Sequence, residues 1–527
     1  MATLQHARVE ILSSAERLAT IVNSRYDGEG AIVLANREPV TTARAPDGRI
    51  TIRRASGGVV TALEPILQAC RGVWVACGSG RPDESIDGRT LADLPSAGYR
   101  VRRVGLADHE RRGHYDGFSN QALWPLCHRT SVRPLFRTAD YVEYRAVNAH
   151  VAAAVCEEAS SRSPLVLVQD YHFALAPQFI RARLPRSTIV AFWHIPWPAP
   201  DRFERCPWAN QLLEGLLAST IVGFQTTDDC HNFLDVVERR LGTFIDRAAQ
   251  VVAFGNRRIR VGVYPISIEW PCRWMRDLPD RAGCERDVRR TLRLPSHVSI
   301  GVGVDRMDYT KGIEEKFLAV ERLLERQPEL RGRFVFVQLA EPSREGLPAY
   351  REVRRRVRET AARINARFAA GRADPIVILE GHHQPITVGR FLRAADVCYV
   401  GSLQDGMNLV AKEFVAARED EAGVLILSRF AGAARELGSA LIIDPHDVNA
   451  SADALASALR MPAAEQTCRM REMRRHVREF DVYRWAGALL MDAASTREAR
   501  RERDARAGTS GLPRIPARAD SYIASAV

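Results

Sequence analysis

Six short apolar runs, each closed by a polar cluster, restrict the possible folds of this chain more than any other feature. They are "AIVLAN" (31–36), "LVLVQD" (165–170), "TIVAFW" (188–193), "SIGVGV" (299–304), "RFVFVQ" (333–338) and "PIVILEG" (375–381). Each is too short for a buried helix and lacks the alternation of a half-exposed strand. They read as strands buried on both faces, as in parallel sheets. Helical stretches lie between several of them. In "GIEEKFLAVERLLERQ" (312–327), Phe317, Val320, Leu323 and Leu324 share one face and charges occupy the other. Strands alternating with helices predict doubly wound α/β domains.

A chain of 527 residues is too long for one ordinary core, so two large domains are expected. The break belongs near 265–290, where "VYPISIEWPCRWMRDLPD" is rich in Pro and Trp. "FDVYRWAGALLMDAA" (480–494) reads as an amphipathic helix that needs a surface to pack on. The N-terminus mixes charges into its apolar residues, and no run approaches bilayer length. A cytoplasmic protein is expected, without membrane partners. The ten cysteines are scattered singly, without zinc spacing, and are expected to be reduced and mostly buried. The net charge of +11 is carried almost entirely by arginine. Part of it lies in residues 497–518, where Glu498, Glu502 and Asp504 are interleaved, as in a solvated helix with a loose end. No nucleic-acid motif accompanies it. The basicity is read as solubility plus an anionic substrate.

In open α/β sheets, ligands lie beyond the carboxyl ends of the strands. Four runs end in ionisable residues: Arg37 and Glu38; Asp170 and His172; His194; and Asp305 through Lys311. In "DRMDYTKG", Arg306, Lys311 and a helix N-terminus suit a pyrophosphate. A loop salt bridge with Asp305 or Asp308 accounts for them equally well. "GSLQDGMNLVAKEF" (401–414) is read as a helix starting near Gly406. Asp405 there is either an N-cap or a ligand contact, and the amides of Gly406 to Val410 are available to a ligand. Glu413 is either a ribose ligand or a surface charge. His194, before the stiff "IPWP" turn, is read as a ligand contact. Asp170 either accepts from a sugar hydroxyl or is tied to nearby amides. Gly57-Gly58 offers a weak phosphate-loop signal against a plain turn.

The segments "NREPV", "SGGVVTALEPIL", "FSNQALWPLCH", "QDYHFALAPQFIR", "FWHIPWPAPDRFERCPW", "VDRMDYTKGI" and "DGMNLVAKEF" occur in the order seen in trehalose-6-phosphate synthases. The chain resembles that family of retaining glycosyltransferases from about Ile32 to about Met491. The resemblance implies a GT-B fold, two Rossmann-like domains facing across a cleft. Residues 1–270 would form the acceptor domain and 271–478 the nucleotide-sugar domain. A helix at 479–496 would cross back, leaving a basic, flexible tail at 497–527. Glucose would pass from a nucleotide sugar, UDP-glucose by preference, to glucose 6-phosphate. No cofactor and no metal are implied, because cationic side chains serve the diphosphate. Arg306 and Lys311 would hold that diphosphate, with Gly58 nearby. Asp405, Gly406, Met407, Asn408 and Leu409 would hold the donor sugar and phosphates, and Glu413 the ribose. His194 would touch the donor glucose and Asp170 the reacting sugars. Arg37, Tyr115, Trp124 and Arg344 would form the acceptor site, with the two arginines on its phosphate. The catalytic set would be Asp170, His194, Arg306 and Lys311.

The chain also departs from the family pattern. It reads "REP" at 37–39 for the usual "RLP", Cys77 for a second Trp, and "GSLQ" (401–404) for "TPLR". Glucosylglycerol-phosphate synthases share the Arg-Glu-Pro, and using ADP-glucose and glycerol 3-phosphate is the close alternative. A non-catalytic homologue would lack donor residues that this chain retains. A nicotinamide enzyme would need a GxGxxG that is absent. Whether the chain forms a homo-oligomer is left open.

Overall fold

The computed structural model describes residues 15–26, 30–44, 50–54, 58–77, 98–369 and 373–509, with backbone only at 40–44, 50–54 and 504–509. Its strands in chain order begin with β1 (Ile32–Ala35), β2 (Val40–Arg44), β3 (Ile50–Arg54), β4 (Val73–Cys77) and β5 (Arg100–Val104). β6 (Leu165–Gln169), β7 (Thr188–Phe192), β8 (Ile221–Phe224), β9 (Ile245–Asp246), β10 (Val251–Phe254) and β11 (Arg257–Val263) follow. The last six are β12 (Ser299–Arg306), β13 (Phe334–Glu341), β14 (Ile376–Glu380), β15 (Val397–Val400), β16 (Val424–Ser428) and β17 (Leu441–Ile443). All six apolar runs singled out in the sequence form strands.

The strands make two large sheets. The first runs β5-β4-β1-β6-β7-β8-β11-β10-β9 and is parallel except for β10 and β9 at its edge. The second runs β14-β13-β12-β15-β16-β17 and is parallel throughout. β2 and β3 form a separate antiparallel hairpin. Strands β1, β4, β6, β7, β8, β15 and β16 are buried along their whole length, and such strands read as continuous apolar runs.

Each sheet has one strand paired on both sides by strands reached in opposite directions. In the first it is β1, between β4 and β6; in the second it is β12, between β13 and β15. Strand order reverses there, so the loops leaving the two central strands diverge and open a crevice. Arg37 follows β1 and Asp170 follows β6. Lys311 follows β12, whose last residue is Arg306, and Asp405 follows β15.

The chain leaves the first sheet at Val263 and enters the second at Ser299. It returns through one long helix, Val482–Thr509. The helix begins against the crossover, where Val482 N donates to Ile268 O (2.9 Å) and Trp485 Nε1 to Tyr264 O (3.1 Å). It ends on the first half, where Tyr26 Oη donates to Leu490 O (2.7 Å). The sequence reading stops this helix at 496 and makes the rest a tail. In the structure the helix continues to Thr509, and of that tail 510–527 lie outside the described residues. The buried stripe Leu489, Leu490, Ala493, Ala494 extends through Arg497, which is 3% exposed and stacks over Tyr26. Arg500 donates to the Arg186 carbonyl (2.6 Å). The arginines thus anchor the helix as well as charging it.

All ten cysteines are free, and eight are buried. No described helix is long and apolar enough to cross a membrane.

Candidate active site

A cavity of about 450 Å³ lies between the two sheets, with residues of both in its wall. Fourteen of the fifteen candidate residues line it: Arg37, Gly58, Tyr115, Trp124, Asp170, His194, Arg306, Lys311, Arg344, Asp405, Met407, Asn408, Leu409 and Glu413.

Gly406 is the exception. A Cβ at this position would lie 2.0 Å from the His194 carbonyl oxygen. The glycine permits close approach, as expected, but to another backbone rather than to a ligand. It lets the loop after β15 rest directly on the loop after β7.

The second-sheet wall is built from two adjacent loops. β12 and β15 are hydrogen-bonded neighbours, so "DRMDYTKG" and "GSLQDG" emerge side by side. Leu403 N donates to Thr310 O (2.8 Å), and Gly312, at φ +60, leaves room for the Gly401 carbonyl. Lys311 Nζ bonds Asp405 Oδ2 at 2.6 Å, and Asn408 Nδ2 bonds the same oxygen at 3.1 Å. Burial raises the cost of ionising Asp405, but the Lys311 ammonium and the Asn408 amide together help to outweigh it, holding the carboxyl below its usual range. The salt bridge that the sequence reading places between Lys311 and Asp305 or Asp308 does not form. Asp305 pairs with buried Lys316, and Asp308 with Arg344. Lys311 is therefore fixed rather than mobile. The helix begins at Leu409, not near Gly406, and its cap is Asn408, which accepts from Ala411 N (3.1 Å) at φ +83. Asp405 is thus released from capping. Glu413 lies one turn into this helix and faces the cavity, where burial pushes its carboxyl up to about 7.

The first-sheet wall is more aromatic. Trp124 lies beneath two guanidinium groups, Arg344 at 4.2 Å and Arg306 at 5.3 Å from its ring centre. A wide π-helix over Arg112–Leu123 delivers Tyr115 and leads into Trp124. The Tyr115 ring stacks on His172 at 5.8 Å. Burial works against ionisation of the Tyr115 phenol, but Arg344 and Arg37 outweigh it and lower its pKa. Burial, and then the charge of Arg306, depress the pKa of the Arg37 guanidinium. Three like charges thus converge on one end of the cavity.

Asp170 sits at φ +71, a costly conformation for a non-glycine residue. Its N donates to Phe192 O (2.7 Å), and its carboxylate accepts from His194 N (3.1 Å). Burial pushes this carboxyl up to about 6. His194 is held between two glutamines: Nε2 lies 2.8 Å from Gln169 Oε1, and Nδ1 lies 3.3 Å from Gln225 Nε2. An acceptor on Nε2 and a donor on Nδ1 select the neutral Nε2–H tautomer. Burial depresses the imidazole pKa to about 3. Both ring nitrogens are engaged, so this histidine does not act as a general base.

The sequence reading misses Gln169, Gln225 and Trp74, and gives Asp308 only as a loop partner of Arg306 or Lys311. Trp74 Nε1 donates to the Arg37 carbonyl (3.0 Å) and so positions that loop. Gln225 follows β8, a strand not among the six runs. A search for polar residues at the end of "TIVGFQ" finds it. The departures from the family pattern fall off the cavity wall. Glu38 turns away to pair with Arg103, Cys77 is buried in the core, and Gln404 bonds the Arg129 amide across the cleft.

Two doubly wound sheets that meet across one cleft at their switch points make this a GT-B protein. The model for glycosyltransferase family 20 matches residues 29–495. The trehalose-6-phosphate synthase of Mycobacterium avium is 38% identical over 480 residues, covering 88% of this chain and 95% of its own. Among solved structures, trehalose-6-phosphate synthase of E. coli bound with UDP-2-fluoro glucose is 31% identical, with a TM-score of 0.78. The match covers 88% of this chain and 99% of that one. The UDP-forming enzyme of Burkholderia xenovorans in complex with glucose-6-phosphate is 32% identical, with a TM-score of 0.79 and the same coverages. The chain belongs to glycosyltransferase family 20 and is a glycosyltransferase.

Proposed function

We propose that the protein is a trehalose-6-phosphate synthase that moves glucose, with retention, from UDP-glucose to glucose 6-phosphate. The carrying observation is the cluster of cations in the cavity wall. Arg37, Arg306, Arg344 and Lys311 all line it, and after burial the charges of Arg306 and Arg344 depress the pKa of Arg37, a repulsion that bound anions would relieve. Two separate anions fit this arrangement: a diphosphate at Arg306 and Lys311, and an acceptor phosphate at Arg37 and Arg344. The solved relatives from E. coli and Burkholderia xenovorans hold a UDP-sugar and glucose-6-phosphate. Residues 1–270 then serve the acceptor and 271–478 the donor, in a cytoplasmic enzyme.

In this reading Glu413 accepts from the ribose hydroxyls. The amides at the start of the Leu409 helix and Asp405 take the donor sugar and phosphates. Arg306 and Lys311 stabilise the charge that develops on the departing diphosphate. His194, neutral and clamped, offers shape and polarity to the donor glucose rather than a proton. Asp170 orients the hydroxyls of the reacting sugars. The acceptor hydroxyl attacks from the face the diphosphate leaves, and a donor phosphate oxygen takes its proton. Protein groups hold the two substrates in register.

The test is direct. Purified protein is incubated with UDP-, GDP- or ADP-glucose against glucose 6-phosphate or glycerol 3-phosphate, and the released nucleotide is measured. UDP release dependent on glucose 6-phosphate is expected. ADP release dependent on glycerol 3-phosphate would replace this reading with glucosylglycerol-phosphate synthesis.

A further inference from the structure

The loop that carries Arg306 and Lys311 also carries a carboxylate whose ion pair is with neither of them but with Arg344. The Asp308 side chain is fully buried. Within its own loop it accepts from Thr310 N (3.0 Å) and Thr310 Oγ1 (3.1 Å). Outside the loop its partners are Arg344 Nη1 (3.5 Å) and Tyr350 Oη (3.4 Å). Tyr350 Oη also takes a hydrogen bond from Arg344 Nη1, so it bridges the pair.

Arg344 continues the chain across the cleft. Its Nη2 donates to Tyr171 Oη (3.1 Å), which donates to Asn120 Oδ1 (2.8 Å). Tyr171 and Asn120 belong to the first half, Asp308, Tyr350 and Arg344 to the second. The Arg344 backbone sits at φ +47, a position that surrounding contacts must enforce. A buried guanidinium between two others would also be repelled from this site without a nearby carboxylate.

We propose that Asp308 is a positioning residue for the acceptor phosphate. It aims Arg344 across the cleft, so the loop that grips the donor diphosphate also sets the group that grips the acceptor. Asp308 touches neither substrate and acts through Arg344. The inference rests on reading Arg344 as an acceptor-phosphate ligand.

The experiment is a double-mutant cycle on the full-length protein, with both Michaelis constants measured for each variant. Asp308→Asn keeps the shape and removes the charge. Its acceptor KM is expected to rise about tenfold or more, as when a buried charge loses its partner. Its nucleotide-sugar KM should move less than about threefold, since the donor contacts remain. In an Arg344→Ala background, Asp308→Asn should add nothing further to the acceptor KM. If Asp308→Asn does not fold, Tyr350→Phe removes the bridge alone and should shift the acceptor KM in the same direction by a smaller factor. Equal rises in both constants, or effects that add in the double variant, would overturn the proposal. If Arg344→Ala raises the acceptor KM but neither Asp308→Asn nor Tyr350→Phe does, the inference falls and the acceptor reading stands. If Arg344→Ala leaves it unchanged, both fall.

Discussion

On the second-sheet side of the cleft, Arg306, Lys311, Asp405 and Glu413 come from the carboxyl ends of two adjacent strands, β12 and β15, and the segments just beyond them. On the first-sheet side, Arg37, Tyr115, Trp124, Asp170 and His194 come from the loops after β1, β6 and β7 and from a π-helix that belongs to no strand. Arg344 crosses over from the opposite half to complete the set. The contrast shows in the chemistry. The second-sheet wall fixes its ammonium by a 2.6 Å bond to Asp405 within stitched loops. The aromatic wall holds two guanidinium groups over Trp124, and the carboxylate paired with one of them, Asp308, comes from the loop after β12. One side is a local device. The other depends on long-range assembly.

The largest expected effect breaks the donor device. Lys311→Ala should lower turnover by about 10²- to 10³-fold, because a cation serving the leaving diphosphate is lost. It also strands Asp405, at a cost of roughly 3–5 kcal/mol of stability. Adding Asp405→Asn should restore much of the thermal midpoint and little of the rate. Near-normal transfer by Lys311→Ala would end the donor assignment.

A smaller effect sharpens the comparison through pH. Burial raises Glu413 from an ordinary 4.5 to about 7. A raised carboxyl favours the neutral form, so its contribution to stability is full below about 4.5 and is lost as pH rises through about 7. A ribose diol donates to the ionised form and should pull this pKa down. Nucleotide binding near pH 6 should then release a proton, seen as a binding heat that varies with buffer, and Glu413→Gln should abolish the release. Affinity should fall about tenfold with it. Proton release unchanged in the variant would remove Glu413 from the ribose site.

The smallest effect concerns the support of the acceptor side. Truncation after Thr509 should leave the thermal midpoint and both Michaelis constants unchanged. Truncation before Arg497 removes the stack on Tyr26 and the Arg500 anchor, and should cost about 1–2 kcal/mol. The acceptor constant should respond before the donor constant, because the helix packs on the first sheet. A donor constant that moved first would reverse that assignment.

The unequal construction also explains what could be read in advance. Six of the large-sheet strands were visible because parallel strands buried on both faces leave unbroken apolar runs. Arg306, Lys311 and Asp405 are legible because two short motifs hold them in loops. Asp405 was ambiguous because an acid before a helix is usually a cap. Only the structure shows Asn408 at that position, with Asp405 turned to Lys311. Gln225 is missed along with its strand, and the partners of Asp308 outside its own loop lie 36 and 42 residues away. No local pattern encodes such a pairing.

The α/β class, the polar strand ends and the cations of the site follow from the sequence alone, because burial period and strand-end polarity are local properties. The tertiary structure decided which cation meets which carboxylate, the neutral state of His194, and the extension of the last helix to Thr509. Those outcomes arise from strand order and desolvation, which act between residues that are distant in the chain and adjacent in the fold.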